Sequence, residues 1–223
     1  MTIEPADVRT GDDGVTRCRW SLGDPIYEAY HDLEWGRPVA DDRRLFEKIS
    51  LEGFQSGLSW LTILRKRENF RRAFRSFDAD VVARFDRRSV ERLMHDSGIV
   101  RNRAKIEATI NNARRCLELK EEMGSLAGHV WTFEPDERSR PVAETLDELT
   151  ALGIPAEAVA LSKDLKRRGW SFIGPTTTHS FMQAVGMVND HLNGCDRRLP
   201  VTAERARFTR PHAKKNRDGH QKR

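Results

Sequence analysis

Four soft ligands stand near the two ends of this 223-residue sequence, spaced as Cys18-x12-His31 and His191-x3-Cys195. Thiolates and imidazoles are the donors zinc prefers, and four of them close a tetrahedron that leaves no position for water. A metal held there is structural rather than catalytic. On a helix, residues 191 and 195 would share one face at i and i+4. The alternative is that both cysteines are small core residues and both histidines ordinary surface ones, because the long gap between the pairs matches no standard finger spacing.

A second group is aromatic. Both tyrosines, Tyr27 and Tyr30, and three of the five tryptophans, Trp20, Trp35 and Trp60, fall within residues 20–60. Glu52 stands in the same window, between glycines and aromatics near a helix end. Aromatic faces with one carboxylate suit a flat, electron-poor ring carrying N–H donors, such as a purine. Plain core packing and a solvated Glu52 form the competing reading.

The third group is L-M-H-D-S-G-I-V-R-N-R-A-K-I, residues 93–106, between two helical patterns. Gly98 is expected to take a positive φ in a tight hairpin, freeing the next amides to bind a phosphate at a helix start. Arg101, Arg103 and Lys105 add charge at the same end. The pattern is a degenerate helix-hairpin-helix element, with Val100 where a second glycine is usual, and a simple helix corner fits equally well.

The elements that must position these groups read as helices almost throughout. Asp41-Asp42 and Ser59 can cap helices carrying Leu45, Phe46 and Ile49, and Leu61 and Leu64. Further helices are expected at 88–94, at 103–119 through Ile106, Ile110, Ala113 and Leu117, from Pro155 to Gly169, and at 178–190. Val130–Phe133 is the best strand candidate. An all-α domain over residues 17–195 follows, with a mobile extension at 1–16 and a basic, disordered tail at 196–223. That tail holds ten Lys/Arg against three acids, a net of +7, so the overall +5 leaves the body at −2. No stretch approaches the roughly 18 apolar residues of a membrane span. The N-terminus lacks a signal pattern, and three cysteines cannot pair fully, so a soluble protein of a reducing compartment is expected.

The blocks R-C-R-W, Y-E-A-Y-H-D-L-E-W-G, L-E-G-F-Q-S-G-L-S-W-L-T-I-L-R-K-R-E-N-F, S-G-I-V-R-N-R-A-K-I, L-K-R-R-G-W-S-F-I-G and S-F-M-Q-A-V-G-M-V-N-D-H appear in this order. Together they resemble the bacterial DNA-3-methyladenine glycosylases of type I, from about Arg17 to Cys195. The resemblance implies a helix-hairpin-helix glycosylase-like fold with one structural zinc, held by Cys18, His31, His191 and Cys195, joining the terminal segments. It implies hydrolysis of the N-glycosidic bond to N3-methyladenine in alkylated double-stranded DNA, leaving an abasic site. Glu52 becomes the catalytic residue that binds the base edge. Tyr30 and Trp60 lie against the base, with Tyr27, Trp20 and Trp35 around it, while Gly98, Arg101, Arg103 and Lys105 hold the DNA backbone.

The same resemblance implies a monomer in the bacterial cytoplasm, on the nucleoid when bound to DNA, with no organic cofactor and no membrane. Related helix-hairpin-helix glycosylases place an aspartate beyond the hairpin, yet residues 99–135 contain no Asp. The family resembled lacks it too, and a cationic leaving group already weakens the bond. His179 stands where family members carry tyrosine. The competing class is a zinc-stapled DNA-binding protein without activity, and Glu52 discriminates, since a backbone binder has no use for a carboxylate amid aromatic rings.

Overall fold

The computed structural model describes residues 7–214. A short antiparallel hairpin, β1 (Val8–Thr10) and β2 (Thr16–Cys18), precedes a succession of helices. In chain order these are α1 (Pro25–Leu33), α2 (Asp42–Gln55), α3 (Trp60–Ala73), α4 (Ala79–Val82), α5 (Arg87–Met94), α6 (Arg103–Met123), α7 (Leu126–Val130), α8 (Leu146–Ala151), α9 (Ala156–Arg167), α10 (Pro175–Ala184) and α11 (Arg198–Arg207). Their starts follow local chemistry: Asp41, Ser59, Asp86 and Asn102 each accept from the backbone N–H three residues on. Among the described residues no helix is long and apolar enough to cross a membrane.

The core is built around α2. Every residue from Leu45 to Phe54 is buried, because α3, α6, α7 and α10 all pack against this helix. Leu45, Phe46 and Ile49 enter the main cluster with Ile63, Ile106 and Phe181. The rings of Phe54, Phe70, Phe74 and Phe77 form a row, with successive centroids 4.6, 6.4 and 5.5 Å apart. A helix enclosed on all sides removes water from its polar groups as well, and Glu47, Lys48 and Glu52 are buried with the rest.

Five expectations need correction. The N-terminal segment is not free through residue 16: Gly11 to Val15 make a turn in which Asp13 accepts from Val15 N and from Arg17, and β1 pairs with β2. Residues rich in Gly and Asp serve a hairpin as readily as a mobile end. The sequence reading placed no helix at 25–33, where Asp24 caps α1 and Pro25 occupies its first turn. The helix expected at 178–190 ends at Ala184, since Gly186 takes φ +76° where the chain runs against Arg37 and Pro38. His191 and Cys195 therefore lie in a loop, not on one helical face. Val130–Phe133 is helical, closing α7 and continuing as one 3-10 turn, because Trp131 is buried with its indole donating to Val39 O.

The fifth correction concerns the tail. Residues 198–207 form α11, which buries Val201 completely, and Phe208 packs on Trp131 at 4.6 Å. Its charges are largely engaged within the protein: Arg205 and Arg210 pair with Glu134, Arg197 with Asp32, and Arg198 donates to the His191 carbonyl. Beyond the helix Lys214 N donates to Met123 O at 2.8 Å. Lys215, Arg217, Lys222 and Arg223, like residues 1–6, lie outside the described residues. Removing residues 197–223 is expected to lower folding stability by at least about 3 kcal/mol, through loss of the Val201 and Phe208 packing. Denaturant unfolding checks this, and an unchanged midpoint with only weakened DNA binding would return the segment to the status of an appended arm.

Candidate functional site

Glu52 lies near the C-terminal end of α2 and is 5% exposed. Burial pushes its carboxyl up to about 8, opposed only by the charge of Lys48 one turn earlier, so it carries a proton at neutral pH. The helix α1 brings both tyrosines to it. Burial, followed by the nearby Glu52 charge, raises the phenols of half-buried Tyr27 and fully enclosed Tyr30. Trp60, the first residue of α3, tilts against Tyr30 at 5.4 Å and keeps its indole Nε1 buried without a partner. Trp20 meets Tyr27 edge-on at 5.0 Å. Trp35 stands one layer behind, 5.0 Å from Trp20 and 4.6 Å from the His191 ring, where it supports the pocket and the histidines together.

The ligand atoms of Cys18, His31 and Cys195 converge within 4.8 Å of one another in a fully buried group. Each donor is oriented by a neighbour. His31 Nδ1 is 2.9 Å from Asp32 Oδ1, which turns Nε2 toward Cys195 Sγ at 3.6 Å, while Arg17 grips the Asp32 carboxylate. Leu192 N donates to Cys18 Sγ at 3.4 Å. A hydrogen bond from Cys18 pulls the Cys195 thiol down to about 4, whereas that shared proton and burial drive Cys18 upward. His191 stands outside this trio, its ring 4.8 Å from that of His31. Its Nδ1 is held 2.9 Å from Asn189 Oδ1 and its Nε2 is buried with no partner among the described residues. Burial lowers His191 to about 3, leaving it the neutral imidazole that a metal requires.

At the hairpin between α5 and α6 the structure departs from the sequence reading. Gly98 has no positive φ; its small size is needed because a Cβ would stand 2.9 Å from Asp96 Oδ1 and 3.0 Å from Asn69 Nδ2. Lys66 and Asn69 of α3 hold the Gly98 carbonyl. The amides of Val100 and Arg101 meet no acceptor among the described residues. Arg101 is exposed, and Arg103 is exposed but paired with Glu91 at 2.9 Å. Lys105 does not join them: it is buried, with Nζ donating to Phe54 O at 2.8 Å and Ser56 O at 2.5 Å. An ammonium held inward by the carbonyls ending α2 keeps its charge but spends its donors on them, so it does not reach a phosphate at the surface.

Sequence reasoning missed the groups that support these sites. Lys48, Glu34 and Arg67 form a chain beside Glu52, and Asp32, Arg17 and Asn189 orient the imidazoles. For all but Lys48, which precedes the block that opens at Leu51, only their place inside the quoted blocks could have drawn attention to them. His179, which stands where family members carry tyrosine, faces Asp190, which Arg140 and Gln183 also bind.

Residues 20–198 match the family model described as methyladenine glycosylase. The chain is 48% identical over 181 residues to DNA-3-methyladenine glycosylase 1 of Escherichia coli strain K12, covering 81% of this chain and 96% of that protein. A crystal structure of 3-methyladenine DNA glycosylase I superposes with a TM-score of 0.74 at 47% identity, covering 81% of this chain and 98% of the other. A structure addressing 3-methyladenine recognition by the Staphylococcus aureus glycosylase I gives 0.76 at 36% identity, over 82% and 96% of the two chains. With the family match running over residues 20–198, through the buried carboxyl, the aromatic rings, His31, His191 and Cys195, the chain belongs to the methyladenine glycosylase family.

Proposed function

We propose that this chain is a DNA-repair glycosylase that takes an N3-methylated adenine out of alkylated double-stranded DNA and hydrolyses its N-glycosidic bond, leaving an abasic site. The observation that carries this reading is Glu52, a buried carboxyl faced by two tyrosines and a tryptophan. A protein that only gripped the backbone would have no use for it. The target base is inaccessible inside the stack, so it must be flipped into this pocket. Its arrival changes the charge balance: N3-methylation makes the nucleobase cationic, which favours loss of the Glu52 proton to solvent. The carboxylate then accepts from the exocyclic N–H of the base while Tyr30, Trp60, Tyr27 and Trp20 enclose its faces.

Breaking the bond from C1′ sends the electron pair to the base, which leaves neutral, and a water adds to C1′ with release of a proton. Neutral adenine offers no such countercharge, so it meets a pocket whose carboxyl stays protonated. Outside the pocket, the amides of Val100 and Arg101 with the Arg101 and Arg103 side chains are suited to the DNA backbone. All these groups come from one chain, consistent with a monomer, and hydrolysis calls for no organic cofactor. A soluble bacterial cytoplasmic enzyme fits the absence of a membrane-spanning helix among the described residues.

The donor set fits one structural zinc held by Cys18, His31, Cys195 and His191, whose otherwise orphaned Nε2 supports the fourth place. Bound zinc would supply a crosslink between chain ends and no reaction step. About one equivalent is expected by metal analysis after gentle purification. Cys195→Ser is expected to lower the melting temperature more than it lowers turnover of the remaining folded protein; lost turnover with zinc and stability retained would contradict a structural role.

Glu52→Gln is expected to slow single-turnover excision of 3-methyladenine by at least about tenfold while binding undamaged duplex normally, since a hydrogen bond to a charged group is worth about 1.5–3 kcal/mol. Wild-type excision by the folded variant would remove Glu52 from the site. The same variant has a stability signature. A carboxyl whose pKa is raised in the folded state contributes stability fully below the unfolded value, and that contribution is lost as pH climbs toward about 8. Glu52→Gln is therefore expected to gain stability over wild type by roughly 1–3 kcal/mol at about pH 8, with the gap closing toward about pH 4. Parallel melting curves across pH check the sign.

A further inference from the structure

Glu52 has a second ionisable group beside it on the same buried helix. Lys48 stands one turn earlier, where i and i+4 share a face, and its side chain is 8% exposed. Its Nζ lies 3.6 Å from Glu34 Oε2 and 5.4 Å from the centre of the Tyr30 ring. Glu34 is already engaged by Arg67, whose Nη1 is 2.8 Å from both carboxylate oxygens. The ammonium is thus held against the pocket by a shared carboxylate and an aromatic face. Burying a lysine this incompletely paired is unfavourable unless its charge is used.

The charges around the pocket identify that use. From α1 and its end come Tyr27, Tyr30 and Glu34; from α2, Arg44, Glu47 and Lys48; from α3, Arg67 and Arg71; and from α6, Lys105, whose Nζ is held by Phe54 O and Ser56 O beyond Glu52. Arg71 takes Glu47 at 2.7 Å and Arg67 takes Glu34, while Arg44 is exposed. Lys48 is the cation whose field falls on Glu52. With Glu52 protonated, the Arg67, Glu34 and Lys48 chain carries one net positive charge, and ionising Glu52 brings the buried set to neutrality. Without Lys48 the same ionisation would leave a net negative charge in an apolar enclosure.

We propose that Lys48 is the resident countercharge that allows Glu52 to ionise when the cationic base arrives, and that it thereby sets the lower pH limit of base capture. This positioning role rests on the reading of Glu52 given above. Burial draws Lys48 below the usual lysine value, opposed by the Glu34 charge; while it keeps its proton it also repels a cationic base, and the proposal requires that its effect on Glu52 be the larger of the two below about pH 8.

The test is a pH series of single-turnover excision on methylated duplex, alongside carbon-detected NMR titration of the Glu52 carboxyl in the free protein. In Lys48→Met the Glu52 midpoint and the acidic limb of excision are expected to move up together by at least about one pH unit. Excision at about pH 6.5 would then fall about tenfold, with rates near pH 9 within about twofold of wild type. Lys48→Arg is expected to keep the wild-type limb. Lys48→Gln, which still offers Glu34 a polar partner, carries the same expectation as Lys48→Met should the latter fail to fold. An unmoved limb, an equal loss at all pH values, or faster excision throughout would overturn the proposal. Glu52→Gln separates the two readings: if the limb persists without a carboxylate at residue 52, the pocket assignment itself fails, whereas a limb that vanishes there but ignores Lys48 overturns this inference alone.

Discussion

Enclosing a helix on every side strips water from whatever it carries, and α2 carries Glu52, Lys48 and Glu47 through the centre of this protein. The packing of α3, α6, α7 and α10 that makes the core also fixes the ionisation of the pocket. A carboxyl there cannot be solvated and is left proton-bearing near neutral pH. Under that constraint the proposed recognition of a positive base would need no dense hydrogen-bond code, because the pocket would gain a favourable charge pair only when a cation enters. The cost is borne by folding, since the same burial makes the site a liability to stability.

The second constraint is closure of the chain. Thr16 and Asp196 exchange hydrogen bonds, Thr16 N to the Asp196 carboxylate at 2.7 Å and Asp196 N to Thr16 O at 2.9 Å, drawing Cys18 and Cys195 together from opposite ends of the domain. Trp35 and Trp20 pack on the imidazoles on one side and on the pocket tyrosines on the other. The cysteine and histidine cluster and the proposed base pocket therefore share two rings as a common wall. Structural and recognition roles meet in α1, which supplies Tyr27, Tyr30 and His31 within five residues.

The distribution of basic residues shows why net charge alone is a poor guide to DNA contact. Lys105 serves the end of α2, Lys66 serves the hairpin carbonyls, Arg197 serves Asp32, and the arginines of α11 serve Glu134 and loop carbonyls. What remains at the hairpin is exposed Arg101 and the amides of Val100 and Arg101, which meet no acceptor among the described residues. Backbone donors of this kind bind phosphate by geometry.

Helical class, most helix starts and the identity of the chemical groups were legible in the sequence, because apolar spacing and capping side chains act within three or four residues. Leu45, Phe46 and Ile49 declare a helix, and Asp41, Ser59 and Asn102 declare where helices begin, whatever lies around them. The direction in which a side chain points and the company it keeps were not legible. Lys105 and Arg103 look alike two residues apart in a basic run, yet one is buried under α2 and the other exposed. Residues 196–214 read as tail because their apolar residues are few, and Val201 and Phe208 find their partners only across the fold. Glu52 could be named from its neighbours in the chain. Its proton, and the lysine that governs it, follow from enclosure by helices distant in sequence, and the energy of a charge depends on every atom that displaces water around it.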